Sequence, residues 1–228
     1  MNYSRLILAV DRPEADCYSY ARLVRDLRDS LAGVKVGVPF LISCGVAGLK
    51  QIREAAGDLM VIADLKLADV GDIMVETASL LRGLADAVIA HSFVGFSGAL
   101  DVLSLRLKEW GMKLVLVASM SHPGSREIYD RGQEEIVELI RMVSPWGVVA
   151  PATRPHVIRY LRARLPDGIA ILSPGVGAQG AKPGDALCAG ADYEIVGRAI
   201  TSSSDPLRAA YDVLKLQEEA MSRCRRGS

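Results

Sequence analysis

Aromatic side chains make up only 5% of this chain, and neither sign of charge prevails, since 27 lysines and arginines balance 27 aspartates and glutamates. A surface poor in rings cannot stack successive bases, and a chain of zero formal charge has no global field to draw nucleic acid or an acidic membrane. Partners of those two classes are excluded from the reading, and any anion must be held locally. Long apolar runs are missing too. No uninterrupted stretch approaches membrane-spanning length, and the short run after residues 1–5 lacks the hydrophobic region of a signal peptide. A soluble, cytoplasmic protein is expected. The four cysteines, Cys17, Cys44, Cys188 and Cys224, form no C-x-x-C pair, and neither they nor the three scattered histidines show zinc-ligand spacing. The expectation is reduced thiols, no metal and no cofactor.

What the chain does have is apolar residues, half of its 228 positions, enough for one large core. Short β-rich runs recur at regular spacing over 5–10, 33–38, 59–64, 87–91, 113–119, 147–150, 169–173 and 193–196. Most are continuous Val, Ile, Leu and Ala rather than alternating, as in parallel strands covered on both faces. Helical patterns lie between them, among them 18–30, with Leu23, Val24, Leu27 and Leu31, and 133–143, with Ile136, Val137, Leu139 and Ile140. Eight strand–helix units predict an α/β fold, a closed (β/α)8 barrel in one domain over 1–221, with a frayed basic tail over 222–228. An open dinucleotide-binding sheet would need a G-x-G-x-x-G turn after the first strand, which instead ends in Asp11-Arg12-Pro13-Glu14.

In such barrels the active site lies at the C-terminal strand ends. Polar residues collect there: Asp11, Lys35, Asp64 with Lys66, His91, Ser119 with Ser121, and Gly197 with Arg198. The densest group is Asp64-Leu65-Lys66-Leu67-Ala68-Asp69. Strand alternation would put Asp64 and Lys66 on one side and Leu65 on the other, with Asp69 beyond, free to face the same site or a partner subunit. On those six residues alone, a strand-end salt bridge explains the pattern as well as a catalytic site does. After strands seven and eight come Pro174-Gly175-Val176-Gly177-Ala178-Gln179-Gly180 and Gly197-Arg198. Glycine turns allow close backbone approach, and Arg198 adds a bidentate donor at the usual phosphate position of these barrels. A phosphomonoester substrate is expected. His91 and His122 read as packing and loop-holding residues, and Trp110 and Trp146 as shell packing.

The ordered set of Asp11, Lys35, the D-x-K-x-x-D segment, Met120-Ser121-His122-Pro123-Gly124, Pro151-Ala152-Thr153-Arg154-Pro155, the 174–180 loop and Val196-Gly197-Arg198 resembles the orotidine 5′-monophosphate decarboxylases, particularly their short archaeal form. The resemblance covers nearly the whole chain. It implies decarboxylation of orotidine 5′-monophosphate to uridine 5′-monophosphate in pyrimidine biosynthesis, without metal or cofactor. It further implies that Lys66 delivers a proton to C6 as carbon dioxide leaves. Asp64 would lie beside the substrate carboxylate, with Lys35 and Asp69 extending an alternating charge array. Asp11 and Lys35 would contact the ribose, Ser121 the base, and Gln179 and Arg198 the phosphate, with Pro174 in the closing loop and the Gly197 backbone assisting. Asp69 would enter the neighbouring subunit's site, making a homodimer with shared sites.

The physical chemistry runs the same way. Negative charge left on C6 has no adjacent carbonyl to take it up, so electrostatic preorganisation has to carry the barrier. The chain departs from the family pattern at Val70-Gly71, where Ile-Pro is usual, and at Ile73, often a threonine. Asp69-Val70-Gly71 drifts toward the related magnesium-dependent 3-keto-L-gulonate 6-phosphate decarboxylases and 3-hexulose-6-phosphate synthases, the alternative reading. An inactive phosphate-binding scaffold barrel is the third.

Overall fold

The computed structural model describes residues 4–11 and 17–226. Eight parallel strands, β1 (Leu6–Val10), β2 (Gly33–Gly37), β3 (Met60–Leu67), β4 (Ala87–His91), β5 (Lys113–Val117), β6 (Gly147–Val149), β7 (Ala170–Pro174) and β8 (Tyr193–Val196), pair in chain order. β8 closes on β1 with Ile195 opposite Ile7. The helices are α1 (Cys17–Leu27), α2 (Val38–Ala56), α3 (Gly71–Ser79), α4 (Asp101–Glu109), α5 (Ser125–Ile128), α6 (Gln133–Val143), α7 (Pro155–Arg162), α8 (Asp185–Cys188), α9 (Arg198–Thr201) and α10 (Pro206–Arg226). This is the (β/α)8 barrel that the strand spacing predicts.

The continuous apolar runs are explained by what covers each face. Ala9, Ile89, Val117, Val149 and Ile195 line the interior beneath the C-terminal mouth, while their neighbours in sequence, such as Leu8, Val10 and Val148, are fully buried toward the helices. With water on neither side, no position in a strand is free to be polar without a partner. At the opposite end of the barrel two aspartates repeat one solution. Asp86 accepts the Val61 N–H at 2.8 Å and pairs with Arg53 at 2.6 Å. Asp192 accepts the Ile171 N–H at 2.8 Å and pairs with Arg162. Each stitches a strand start to a helix, away from the mouth where the candidate site residues lie.

Two expectations are corrected. The cysteines are not reduced thiols: Cys17 is bonded to Cys44 and Cys188 to Cys224, each pair with Cα atoms 5.9 Å apart. Separations of 27 and 36 residues gave no local signal. Helix packing makes the pairs, α1 beside α2, where Tyr20 meets Phe40 edge to face, and α8 beside α10. The tail also behaves differently from expectation. α10 continues past Met221 and stays helical to Arg226, with Cys224 held in the second disulfide, while residues 227 and 228 lie outside the described residues.

Candidate active site

Four charged side chains alternate in sign across the ends of the first three strands. Lys35 on β2 contacts Asp11, which follows β1, and donates to Asp64 Oδ2 on β3 at 3.1 Å. Lys66 Nζ then donates to both Asp64 oxygens at 2.8 Å. The close approach of Asp11 depends on Gly37, because a Cβ there would sit 2.1 Å from Asp11 Oδ1. Lys35 and Asp64 are almost wholly buried, with side chains 7% and 9% exposed, whereas Lys66 is 40% exposed and open to a ligand.

Lys66 reaches Asp64 by a route that simple alternation does not describe. Ala63 pairs with Val88 but Leu67 pairs with Ala90, so β3 spends four residues against two on β4. The excess is absorbed in a bulge in which Lys66 takes a left-handed φ of 48°. For a residue with a Cβ that conformation costs about 1–3 kcal/mol, and such strain clusters at functional sites. Burial by itself would depress the Lys35 ammonium, but Asp64 and then Asp11 outweigh it, and its pKa lies above the ordinary lysine value. Burial likewise pushes the Asp64 carboxyl up, yet Lys35 and Lys66 more than reverse this and hold it below the usual carboxylate range. Each buried charge persists because the next one is present.

A cavity of about 470 Å³, within the range of small-molecule sites, opens over this array. Asp11, Lys35, Asp64 and Lys66 form one wall. Ser121, Pro174, Gln179, Gly197 and Arg198 also line the cavity. Residues from six strand ends therefore converge in one space. Asp69 does not join them: it is exposed, its Oδ1 accepts the Val70 N–H at 2.7 Å, and it is absent from the cavity wall. His91, at the end of β4, hydrogen-bonds Tyr129 and stacks on Phe93 at 4.6 Å. Burial and then the Lys66 charge hold its pKa below the usual histidine value.

The family described as "Orotidine 5′-phosphate decarboxylase / HUMPS family" matches residues 4–213. The chain belongs to that family. Among curated proteins, the orotidine 5′-phosphate decarboxylase of Aeropyrum pernix is 50% identical over 215 residues, covering 90% of this chain and 85% of the relative. Among solved structures, orotidine 5′-monophosphate decarboxylase from Sulfolobus solfataricus is similar with a TM-score of 0.85 and 38% identity, over 96% of this chain and 99% of that one. The enzyme from Methanocaldococcus jannaschii, complexed with the inhibitor BMP, gives 0.86 and 30% identity over 95% and 99%. These relatives carry the decarboxylase name rather than that of the sugar-phosphate enzymes.

Three residues of this family member were given no individual function in the sequence reading. Arg154, buried after β6, donates to Ser119 Oγ at 3.0 Å and pairs with Asp130, bracing the strand end that leads into Ser121. Its partner lies 24 residues upstream in another loop, so no spacing announced the contact. Thr201 lines the cavity from α9. Glu194, wholly buried on β8, is a charge inside the apolar run Tyr193–Val196. That one was visible in the sequence, since a carboxylate on a strand sheathed by helices must have buried partners.

Proposed function

We propose that this chain decarboxylates orotidine 5′-monophosphate to uridine 5′-monophosphate and carbon dioxide in pyrimidine biosynthesis, without a metal ion, with Lys66 as proton donor to C6. The observation that carries the reading is the Asp11–Lys35–Asp64–Lys66 array, buried at its centre, sharing one cavity with Arg198 and Gln179. Asp11 and Lys35 suit the ribose hydroxyls, Ser121 the base, and Arg198, Gln179 and the Gly197 backbone the phosphate. The base then lies against Lys66. As the carboxylate departs, the developing C6 carbanion meets an ammonium fixed by Asp64 and needs no reorganisation, which is where preorganised charge is most effective. Lys66 completes the step by transferring its proton. Phosphate and ribose contacts, remote from the breaking bond, supply binding energy for reaching that geometry.

The same reading makes the enzyme a homodimer. Asp69 lies outside its own cavity, and exposed Val70 and Ile73 at the start of α3 offer an apolar surface beside it. Across a two-fold axis Asp69 would extend the partner's array past Lys66. A cytoplasmic location follows from the nucleotide substrate, and the two disulfides suit a cell whose intracellular proteins keep them, as in hyperthermophiles.

Loss of orotidine 5′-monophosphate absorbance, followed with purified protein in excess chelator, tests the proposal. Undiminished turnover is expected. Strict dependence on added magnesium would move the chain to the sugar-phosphate branch, and no turnover under either condition would favour a scaffold.

A further inference from the structure

Glu194 is a buried carboxylate that the chemistry above does not use. Its neighbour Ile195 lines the cavity, so by alternation Glu194 faces the helices. Its donors come from the far end of the loop 174–184, from α8 and from α10. The Gly184 N–H donates to both carboxylate oxygens at 2.9 Å, the Ala186 N–H to Oε1 at 3.1 Å, and Gln217 Nε2 to Oε2 at 2.9 Å. Gly184 itself is pressed on α10: its φ is +91°, and a Cβ there would fall 2.3 Å from that of Ala220. Four residues on, Cys188 is bonded to Cys224 of α10.

The loop thus has a base tied to β8 and α10 and an exposed tip. Between them Val176 bridges Ala181, the Gly177 N–H donates to the Ala181 carbonyl at 2.8 Å, and exposed Gln179 reaches the cavity. β8 also leads directly into Gly197 and Arg198. One strand therefore carries the residue that fixes the loop base and leads into the arginine expected at the phosphate. Burial raises the Glu194 pKa above the ordinary value despite four donated contacts. Packing alone gives no reason to keep it.

We propose that Glu194 is a positioning residue for the phosphate grip: by clamping Gly184 and Ala186 to β8 it sets the reach of Gln179 relative to Arg198. The inference rests on the orotidylate decarboxylase reading. Its effect must therefore appear only with substrates, or substrate pieces, that carry the phosphoryl group.

The test compares Glu194→Met, which removes every acceptor, with Glu194→Gln, which keeps a neutral one. Charge-assisted bonds are about twice as strong as neutral ones, so a graded loss is expected. The kcat/KM for orotidine 5′-monophosphate should fall about tenfold or more in the Met variant and roughly threefold in the Gln variant. Turnover of phosphate-free orotidine should stay at the wild-type value in both, and its activation by added phosphite should fall in the same order. Should the Met variant not fold, the Gln variant carries the comparison. Equal losses on both substrates would make Glu194 merely structural, and undiminished phosphite activation in both variants would also overturn the clamp. Wild-type enzyme that ignores phosphite would overturn the phosphate reading itself, and the clamp with it.

Discussion

At the scale of single residues, the site's chemistry is concentrated in Lys66, which is both strained and paired. Its φ of 48° inverts the usual order of small substitutions. Lys66→Ala and Lys66→Gly should both nearly abolish turnover, but the Gly variant should be more stable than the Ala variant by about 1 kcal/mol in urea melts, because only glycine relaxes there. Ala equal to or better than Gly would show that the bulge is unstrained. The coupled pair beneath it makes a pH prediction. Asp64 has a depressed pKa, so its contribution to stability is whole above its unfolded value near 3.8 and drains as pH falls through the lower folded value. Lys35 has a raised pKa, so its contribution is whole below 10.5 and drains as pH rises through the higher folded value. The stability gap between wild type and Asp64→Asn should therefore be flat through neutrality and close at both extremes. A gap that closes near neutral pH would contradict the assigned ion pairs. Arg198→Ala should lose about 2–4 kcal/mol of transition-state stabilisation in kcat/KM, and phosphite, which should partly restore wild-type turnover of phosphate-free substrate, should do so less well in this variant. Wild-type kinetics in that variant would place the anion site elsewhere.

At the scale of elements, the barrel mouth is assembled from strand ends while the helices are stapled from outside. The two disulfides close segments of 27 and 36 residues, for which chain entropy alone predicts about 3–4 kcal/mol each. Each joins neighbouring helices: α1 to α2 beside the Tyr20–Phe40 contact, and α8 to α10 behind the loop that ends at Gly184. Full reduction should lower the melting temperature by roughly 10 °C or more while leaving the barrel folded and active at moderate temperature. An unchanged melting curve, with free thiols verified by labelling, would mean that the bonds contribute nothing. On β2, Gly37→Ala should damage catalysis more than stability, since its Cβ would displace the Asp11 carboxylate from Lys35 and leave that buried ammonium a single partner.

At the scale of the whole molecule, the proposed shared site makes a prediction that no single chain can satisfy. Lys66→Ala and Asp69→Asn should each be nearly inactive alone. Mixed under subunit-exchange conditions, they should recover about a quarter of wild-type activity, because half the dimers then carry one site free of both substitutions. No recovery, with exchange verified by mass spectrometry, would return Asp69 to its own subunit. The barrel itself was legible from residue order, because strands buried on both faces must be written as short apolar runs, and eight of them separated by helical patterns leave few ways to fold. The strand-end rule likewise gathers Asp11, Lys35, Asp64 and Arg198, since the C-terminal ends of barrel strands face one mouth. What the sequence could not determine was every contact between residues distant along it. The Arg154–Asp130 brace, the Glu194 contacts and both disulfides join partners 8 to 36 residues apart, with no periodicity linking them. Lys66 was expected to reach Asp64 by alternation and does so through a bulge, a register choice made jointly by β3 and β4. Local pattern chose the elements because burial acts on each run separately; tertiary packing chose the partners because distance in space, not order in the chain, decides which charges and thiols meet.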